Sequence, residues 1–344
     1  MQPYVAAFLI ALLASYILTP MAIKLAIRVG AMDAPDARKV HREPIPRMGG
    51  LAIYVAFVAA VLATAPFSQQ VMGLLIGSTV IVAVGILDDL YQLAAKVKLV
   101  GQIVAAATLL FFDIRIDWVM NPFSGELIYF EWLAIPITIF WIVGLTNTVN
   151  LIDGLDGLAA GVSTIAALSI FFIAADMGNM VVAMLLISLA GSAIGFLRYN
   201  MNPARVFMGD TGSMFLGYVL AAVSIIGAVK SAATIALIVP IVALGLPILD
   251  TAFAIVRRKL SGEPIFKPDK GHLHHRLLAM GLSQKQAVWL MYGISCCLGI
   301  SAFLLTEVSV LVGCGIVVAL LILAVFGARK IGVLKTDRRQ SAEG

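Results

Sequence analysis

The sequence predicts an all-α fold, a polytopic helix bundle built into a membrane. Three observations carry that expectation: 61% of the 344 residues are hydrophobic, only 12% are charged, and mean hydropathy is +1.01. A soluble domain carries about a quarter charged residues. Apolar stretches of about 20 residues, the length that crosses a bilayer, recur along the whole chain. They leave no room for a separate soluble domain. Residues 1–330 are therefore read as one transmembrane domain, and residues 331–344 as a short disordered tail.

The first stretch, "YVAAFLIALLASYILTPMAI", has no basic residue before it and Lys24 and Arg28 after it. A secretory signal has the opposite order, so this is a first span and not a cleaved peptide. Further spans follow near 49–66, 71–87, 99–112, 132–148, 157–175, 180–197, 214–229, 233–252, 287–305 and 308–327, about 11 transmembrane helices in all with the first at 3–23. Several are short for a bilayer, which leaves room for re-entrant or broken helices.

An odd number of spans puts the termini on opposite sides. With the N-terminus outside and the C-terminus cytoplasmic, the inner loops hold all 24 lysines and arginines except Arg115 and Lys230. Such a bias fits the positive-inside rule, and it explains the net charge of +5 without recourse to nucleic acid. The longest outer loop, Asp113 to Glu131, carries Trp118, Tyr129 and Phe130, which with Trp132 suit an interfacial aromatic belt. Cys296, Cys297 and Cys314 lie in late apolar segments, two of them adjacent, and are read as small buried hydrophobes.

The chemistry lies in polar interruptions. In "GILDDLYQLAAKVKL", Asp88 and Asp89 close the third span while Lys96 and Lys98 precede the fourth. Adjacent carboxylates repel, so a cation is expected beside them; the plain alternative is a solvated helix end. In "VNLIDGLDGLAAG", Asn150, Asp153 and Asp156 recur at three-residue steps. On one helical face their oxygens would converge on a cation or polar ligand, while Gly154 and Gly157 allow close approach or break the helix. Acids inside a membrane bundle are expensive, which favours a site over a polar loop.

"RYNMNPARVFMGDTGSMFLG" supplies Asn200, Phe207 and Asp210. Asp210 could hold Mg²⁺ while Thr211, Ser213 and free backbone N–H groups face a phosphate. Phe207 could stack on a base or serve as an interfacial anchor. "FKPDKGHLHHRLLAMG" contains His272, His274 and His275. Its spacing fits no common structural zinc pattern, and Lys267, Lys270 and Arg276 beside the imidazoles suit a diphosphate. The stretch 38–50, "RKVHREPIPRMGG", is a basic loop stiffened by Pro44 and Pro46, and Asp250 is an ordinary helix-end carboxylate.

All these clusters fall on the inner side of a topology drawn from hydropathy and basic residues alone. A cation site among basic groups at a membrane surface is what phosphoryl transfer to a lipid requires. An ion-coupled transporter is the rival, but it would hold its acids nearer the midplane.

These segments, in this order, resemble the polyprenyl-phosphate N-acetylhexosamine-1-phosphate transferases, the MraY/WecA/TagO superfamily, from about Asp36 to Gly281. "RKVHREPIPRMGG" and "HLHH" resemble the branch that moves GlcNAc-1-phosphate onto undecaprenyl phosphate, as in teichoic acid and O-antigen initiation. The resemblance implies a bacterial multi-pass membrane enzyme with a cytoplasmic active site and Mg²⁺ as cofactor, Mn²⁺ being able to substitute. Its partners would be a UDP-N-acetyl sugar, undecaprenyl phosphate and the membrane, with a homodimer left open; UDP-MurNAc-pentapeptide and UDP-GalNAc are alternative donors. It assigns the metal to Asp210 and Asn150, catalysis to Asp88, Asp89 and Asp210, and phosphate contact to Lys98. Asp153, Asp156, Asn200 and Phe207 match uridine-site positions, and His272, His274 and His275 a diphosphate motif.

Overall fold

Helix α1 (Gln2–Val29) lines up Ala7, Ala11, Ser15, Thr19, Ala22 and Ala26 as a buried stripe and turns Leu13, Ile17 and Met21 outward. Small residues inside and large apolar ones outside is the pattern of a helix that packs in lipid, where close backbone approach replaces the hydrophobic drive. The stripe meets α7 (Met180–Asn200), in which an added Cβ at Gly195 would lie 2.4 Å from the Leu12 carbonyl oxygen. The computed structural model describes residues 2–34, 43–121, 124, 126–230, 237–264 and 271–333. Asp36, Arg38, Lys39, Arg42, Lys267, Lys270 and the tail from 334 lie outside them.

Between α1 and α7 in the chain come α2 (Gly50–Thr64), α3 (Gln69–Tyr91), α4 (Ala95–Leu110), α5 (Ala134–Ile152) and α6 (Leu158–Asp176). Helix α8 (Gly209–Lys230) is the centre: 89% of its apolar stretch is buried, against α2, α3, α5, α6 and α7. A helix apolar all round belongs there. Tyr218 is buried at its middle and its hydroxyl donates to the Ala105 carbonyl of α4 at 2.9 Å, which satisfies the one polar atom the ring carries inward.

After α8 come α9 (Ile238–Ala243), α10 (Gly245–Leu260), α11 (Leu273–Ala279), α12 (Gln284–Glu307) and α13 (Val310–Ile331). The predicted ninth span is thus two helices broken at Leu244. Pro247 has no N–H to bond the Ala243 carbonyl four residues back, so the ladder stops there. A helix stands at each predicted span, but α2 and α4 have only 15 and 16 residues. Among the described residues, eight helices are long and apolar enough to cross a membrane. The fold is all-α and polytopic.

Two small sheets interrupt it. β1 (Met32–Asp33) pairs antiparallel with β2 (Ile45–Pro46), which lies within the basic stretch 38–50. β3 (Trp118–Met120) pairs with β4 (Leu127–Tyr129), Trp118 facing Tyr129, so the expected outer loop is a hairpin of aromatic and branched residues. The cysteines also differ from expectation. Cys296 and Cys297 are exposed and Cys314 is half-buried, on α12 and α13, because a lipid-facing surface accepts a small apolar thiol as readily as a core does. Only 6% of the apolar stretch of α13 is buried.

Replacing Gly195 by leucine is expected to force α1 and α7 apart and cost about 1–3 kcal/mol, the usual range for overpacking. The loss should appear as a lower Tm in detergent. Gly315→Ala on α13, where an added Cβ meets nothing within 4 Å, should leave Tm unchanged.

Candidate active site

The ends of α3, α5 and α7 and the starts of α4, α6 and α8 meet at one end of the bundle. The joint is Asp89, in the last turn of α3. Its Oδ1 accepts the Asp210 backbone N–H at 2.9 Å, and its Oδ2 accepts the Thr211 N–H at 3.1 Å and the Thr211 hydroxyl at 2.6 Å. A carboxylate on the first N–H groups of α8 satisfies donors that a helix leaves open and sits at the positive end of its dipole. The N–H groups expected to face a phosphate are therefore already bonded. Thr211 and Ser213 are buried, with Ser213 donating to the Gly209 carbonyl at 3.0 Å.

Arg47 answers the crowding of two adjacent acids. Its Nη2 donates to the Asp88 carbonyl at 3.0 Å and its Nε to the Asp89 carbonyl at 3.1 Å, and Nε lies 3.6 Å from the Asp89 carboxylate. A cation on the last carbonyls of α3 is favourable for the same dipole reason, with the sign reversed. Asp88 turns away from Asp89: it accepts the Leu93 N–H at 2.9 Å and lies 3.5 Å from Lys98 Nζ.

Lys98 stands between Asp88 and Asp210, forming ion pairs with both. The Asn150 amide donates to Asp210 Oδ1 at 3.0 Å and to the Ser213 hydroxyl at 2.8 Å. Asp210 is thus gripped from α4 and α5 while Asp89 fixes its backbone.

The three-residue series does not lie on one helical face. α5 stops at Ile152, Asp153 is its C-cap, and α6 resumes after Gly157, whose φ of 78° is the left-handed region that glycine adopts without strain. Asp153 and Asp156 project from this break. Asp156 accepts the Asn202 amide at 2.8 Å and the Ala204 N–H at 3.0 Å, while Asn200 bridges the Gly157 N–H at 3.1 Å and the Val206 carbonyl at 2.9 Å. Burial, reinforced by the charges of Asp89 and Asp156, pushes the Asp153 carboxyl up to about 7.

A cavity of about 770 Å³ opens over these groups. Asp89, Asn150, Asp153, Asp156, Asn200, Phe207, Asp210 and His275 line it, together with Arg47, Asn202, Arg205 and Gln284. Phe207 is half-buried and is held by backbone bonds: its N–H donates to the Pro46 carbonyl at 2.8 Å and its carbonyl accepts the Gly49 N–H at 3.0 Å. Asp88, Lys98, His272 and His274 are not among its lining residues, although Lys98 is paired with Asp210, which is.

The histidine segment is anchored by Asp250, which accepts the Leu273 N–H at 2.7 Å and bonds His272 Nδ1 at 2.8 Å. His274 is buried, its ring 4.2 Å from that of His275, and an added Cβ on Gly154 would lie 2.3 Å from its Nε2. Burial, then the neighbouring His275, pushes the His274 imidazole down to about 3, so it is neutral at physiological pH. His275 alone of the three reaches the cavity.

A model of glycosyl transferase family 4 matches residues 71–228. A probable undecaprenyl-phosphate N-acetylglucosaminyl 1-phosphate transferase of Bacillus subtilis is 44% identical over 92% of this chain and 89% of its own. The chain belongs to glycosyl transferase family 4. A decaprenyl-phosphate N-acetylglucosaminephosphotransferase of Mycolicibacterium smegmatis is 38% identical over 83% of this chain and 77% of its own. A phospho-N-acetylmuramoyl-pentapeptide-transferase of Caldanaerobacter subterraneus is 32% identical over 82% and 90%. These relatives bear out the resemblance to the polyprenyl-phosphate transferase superfamily, so the protein is a phosphoglycosyl transferase and not a transporter.

Three residues of this family 4 enzyme gain roles that the sequence alone did not assign. Arg47 is a partner of both acids of α3, although the need for a cation there was legible. Asp250 is no ordinary helix-end carboxylate, because it holds the histidine segment in place, 22 residues on, and nothing in its spacing signals that. Asn202 links Asp156 to Gln284 Oε1 at 2.7 Å, a contact between segments 82 residues apart.

Two measurements follow. Asp89→Asn sets an amide N–H₂ against backbone donors and should cost about 1–3 kcal/mol, the range for a buried group left unsatisfied, seen as a lower Tm. For Asp153, a folded-state carboxyl near 7 against an ordinary 3.8 means the folded chain favours the protonated form. That contribution is complete below pH 4 and is lost as pH rises through 7. In EDTA, Asp153→Asn should therefore melt above the parent at pH 8 and with it near pH 4.

Proposed function

We propose that this chain transfers GlcNAc-1-phosphate from UDP-GlcNAc to undecaprenyl phosphate at the cytoplasmic face of the bacterial membrane. The products are UMP and undecaprenyl-diphosphate-GlcNAc, the first membrane-bound intermediate of a cell-wall polymer such as teichoic acid. The observation that carries the proposal is Asp210, held between Lys98 and Asn150 on the wall of a cavity that also presents Phe207 and Asp156. The B. subtilis relative, a probable undecaprenyl-phosphate N-acetylglucosaminyl 1-phosphate transferase at 44% identity, favours this donor over UDP-MurNAc-pentapeptide and UDP-GalNAc, since the muramoyl-pentapeptide relative is 32% identical.

In the reaction a lipid phosphate oxygen bonds to the β-phosphorus of the UDP-sugar as the bond from that phosphorus to the bridging oxygen breaks. The bridging oxygen leaves with UMP. Phosphoryl transfer of this kind depends on positioning and on neutralising charge more than on covalent chemistry. Phe207 offers a face for the uracil ring, and Asp156 and Asn200 shape the adjoining wall. Lys98, held by Asp88, directs its ammonium to the phosphates. A phosphate monoester has its second pKa near 6, so the lipid phosphate needs little help in losing a proton and Asp88 serves to orient Lys98. His275 and Arg205 add donors on the diphosphate side.

The donor set suits Mg²⁺ or Mn²⁺. Among the described residues there is no cluster of three His, Cys, Asp or Glu side chains fit for a metal. Mg²⁺ binds through one or two carboxylates with substrate phosphates and water completing its shell; Asp210 would supply the carboxylate, and the Asn150 amide oxygen would join it once the amide N–H₂ gives up its bonds to Asp210 and Ser213. When bound, the ion supplies charge neutralisation at the diphosphate. The basic residues flanking this end of the bundle, including Lys24, Arg28 and Arg198, support a cytoplasmic placement.

Purified protein with undecaprenyl phosphate, Mg²⁺ and a panel of UDP-sugars should release UMP with UDP-GlcNAc and stop with EDTA. Asp210→Asn and Asp88→Asn should each lower kcat on the order of 10²-fold or more. Full activity in Asp210→Asn would remove it from the reaction.

A further inference from the structure

One helical turn beneath Lys98, Asn150 and Asp210 lies a second polar layer on the same three helices. Gln102 follows Lys98 by four residues on α4, Asn147 precedes Asn150 by three on α5, and Met214 follows Asp210 by four on α8. Such spacings put each pair on one helix face. The Gln102 amide nitrogen donates to Asn147 Oδ1 at 3.1 Å, and the Asn147 amide nitrogen donates back to Gln102 Oε1 at 2.7 Å. Gln102 also donates to Met214 Sδ at 3.3 Å, and Asn147 to the Val143 carbonyl of its own helix at 2.9 Å.

Gln102 is 2% exposed, in a bundle whose neighbouring positions are apolar. An amide is costly there, and leucine would fill the space without that cost. A reciprocal amide pair does what leucine cannot: two antiparallel bonds fix both the distance and the rotation of one helix against another. Here the helices so fixed are the ones that carry the ammonium and the amide gripping Asp210, and Met214 brings in the helix of Asp210 itself.

We infer that Gln102 and Asn147 are positioning residues of the transfer reaction, holding α4 and α5 in the register that places Lys98 and Asn150 on Asp210. They touch no substrate and act through the layer above them. The inference rests on the proposed roles of Lys98, Asn150 and Asp210.

The test is UMP release from UDP-GlcNAc by four variants in detergent, with Tm and Mn²⁺ affinity by electron paramagnetic resonance measured on each. Gln102→Leu alone strips Asn147 of the donor to its Oδ1 and of one acceptor, leaving it only the Val143 carbonyl, and should lower both Tm and kcat. Gln102→Leu with Asn147→Leu removes both amides, so Tm should recover. Its kcat should stay low, on the order of 10²-fold below the parent as for a displaced catalytic group, with KM little changed and Mn²⁺ bound more weakly. Gln102→Asn with Asn147→Gln rebuilds the pair at the same summed length and should regain much of the kcat, whereas Asn147→Leu alone should behave as Gln102→Leu. A double-leucine protein with parental kcat and Mn²⁺ affinity, or a swapped pair no faster than the single variants, overturns the inference. If the parent itself released no UMP from UDP-GlcNAc, the proposed donor would fail instead, and unchanged Mn²⁺ affinity in the double-leucine protein would still overturn the positioning role.

Discussion

The carboxylate of Asp89 joins the C-terminal turn of α3 to the N-terminal turn of α8, and the site is assembled outward from that joint. The joint is held electrostatically by two contacts at helix ends. Arg47 sits on the carbonyl end of α3, the negative end of its dipole, and Asp89 sits on the N–H end of α8, the positive one. Each such contact contributes about 0.3–1 kcal/mol at an exposed helix end and up to about 2 where partly buried. Because Asp210 is the second residue of α8, fixing that helix start fixes the one carboxylate that Lys98 and Asn150 both reach.

Around the joint the charges are arranged in opposing sets. Asp88 and Asp210 share Lys98, and Asp33 and Asp89 share Arg47, while Asp250 is hydrogen-bonded to the His272 ring. Asp153 differs, a carboxyl whose charge is opposed by burial and by the nearby Asp89 and Asp156. A cavity-lining carboxyl whose charge is disfavoured is a cost in folding, the usual trade between stability and function. The buried neutral His274 belongs to the same design: it packs against Gly154 and His275 and leaves His275 to face the cavity.

Much of this was legible in the sequence because a bilayer allows so few backbone solutions. Runs of about 20 apolar residues had to be helices, and polar residues spaced along such a chain had to be expensive unless they met one another. Asp88, Asp210 and Asn150 were singled out that way, from sequence distances of up to 122 residues, while choosing Lys98 over Lys96 came from the family resemblance. Geometry beyond the helix was not legible. Three-residue spacing suggested one face for Asn150, Asp153 and Asp156, but Gly154 and Gly157 end α5 and open a loop. Nor could the chain reveal that the first N–H groups of α8 are spent on Asp89, that Asp250 reaches His272, or that residues 118–129 pair as a hairpin. Those depend on which helices are neighbours, and hydropathy is silent about neighbours.

The most direct measurement is an experimental structure of the protein with UDP-GlcNAc and Mn²⁺, the metal located by its anomalous scattering. The expected result is one Mn²⁺ at Asp210 and Asn150, the uracil ring against Phe207, and the diphosphate between Lys98 and His275. A nucleotide seated outside that cavity, or a metal bound away from Asp210, would contradict a single site built on the joint between α3 and α8.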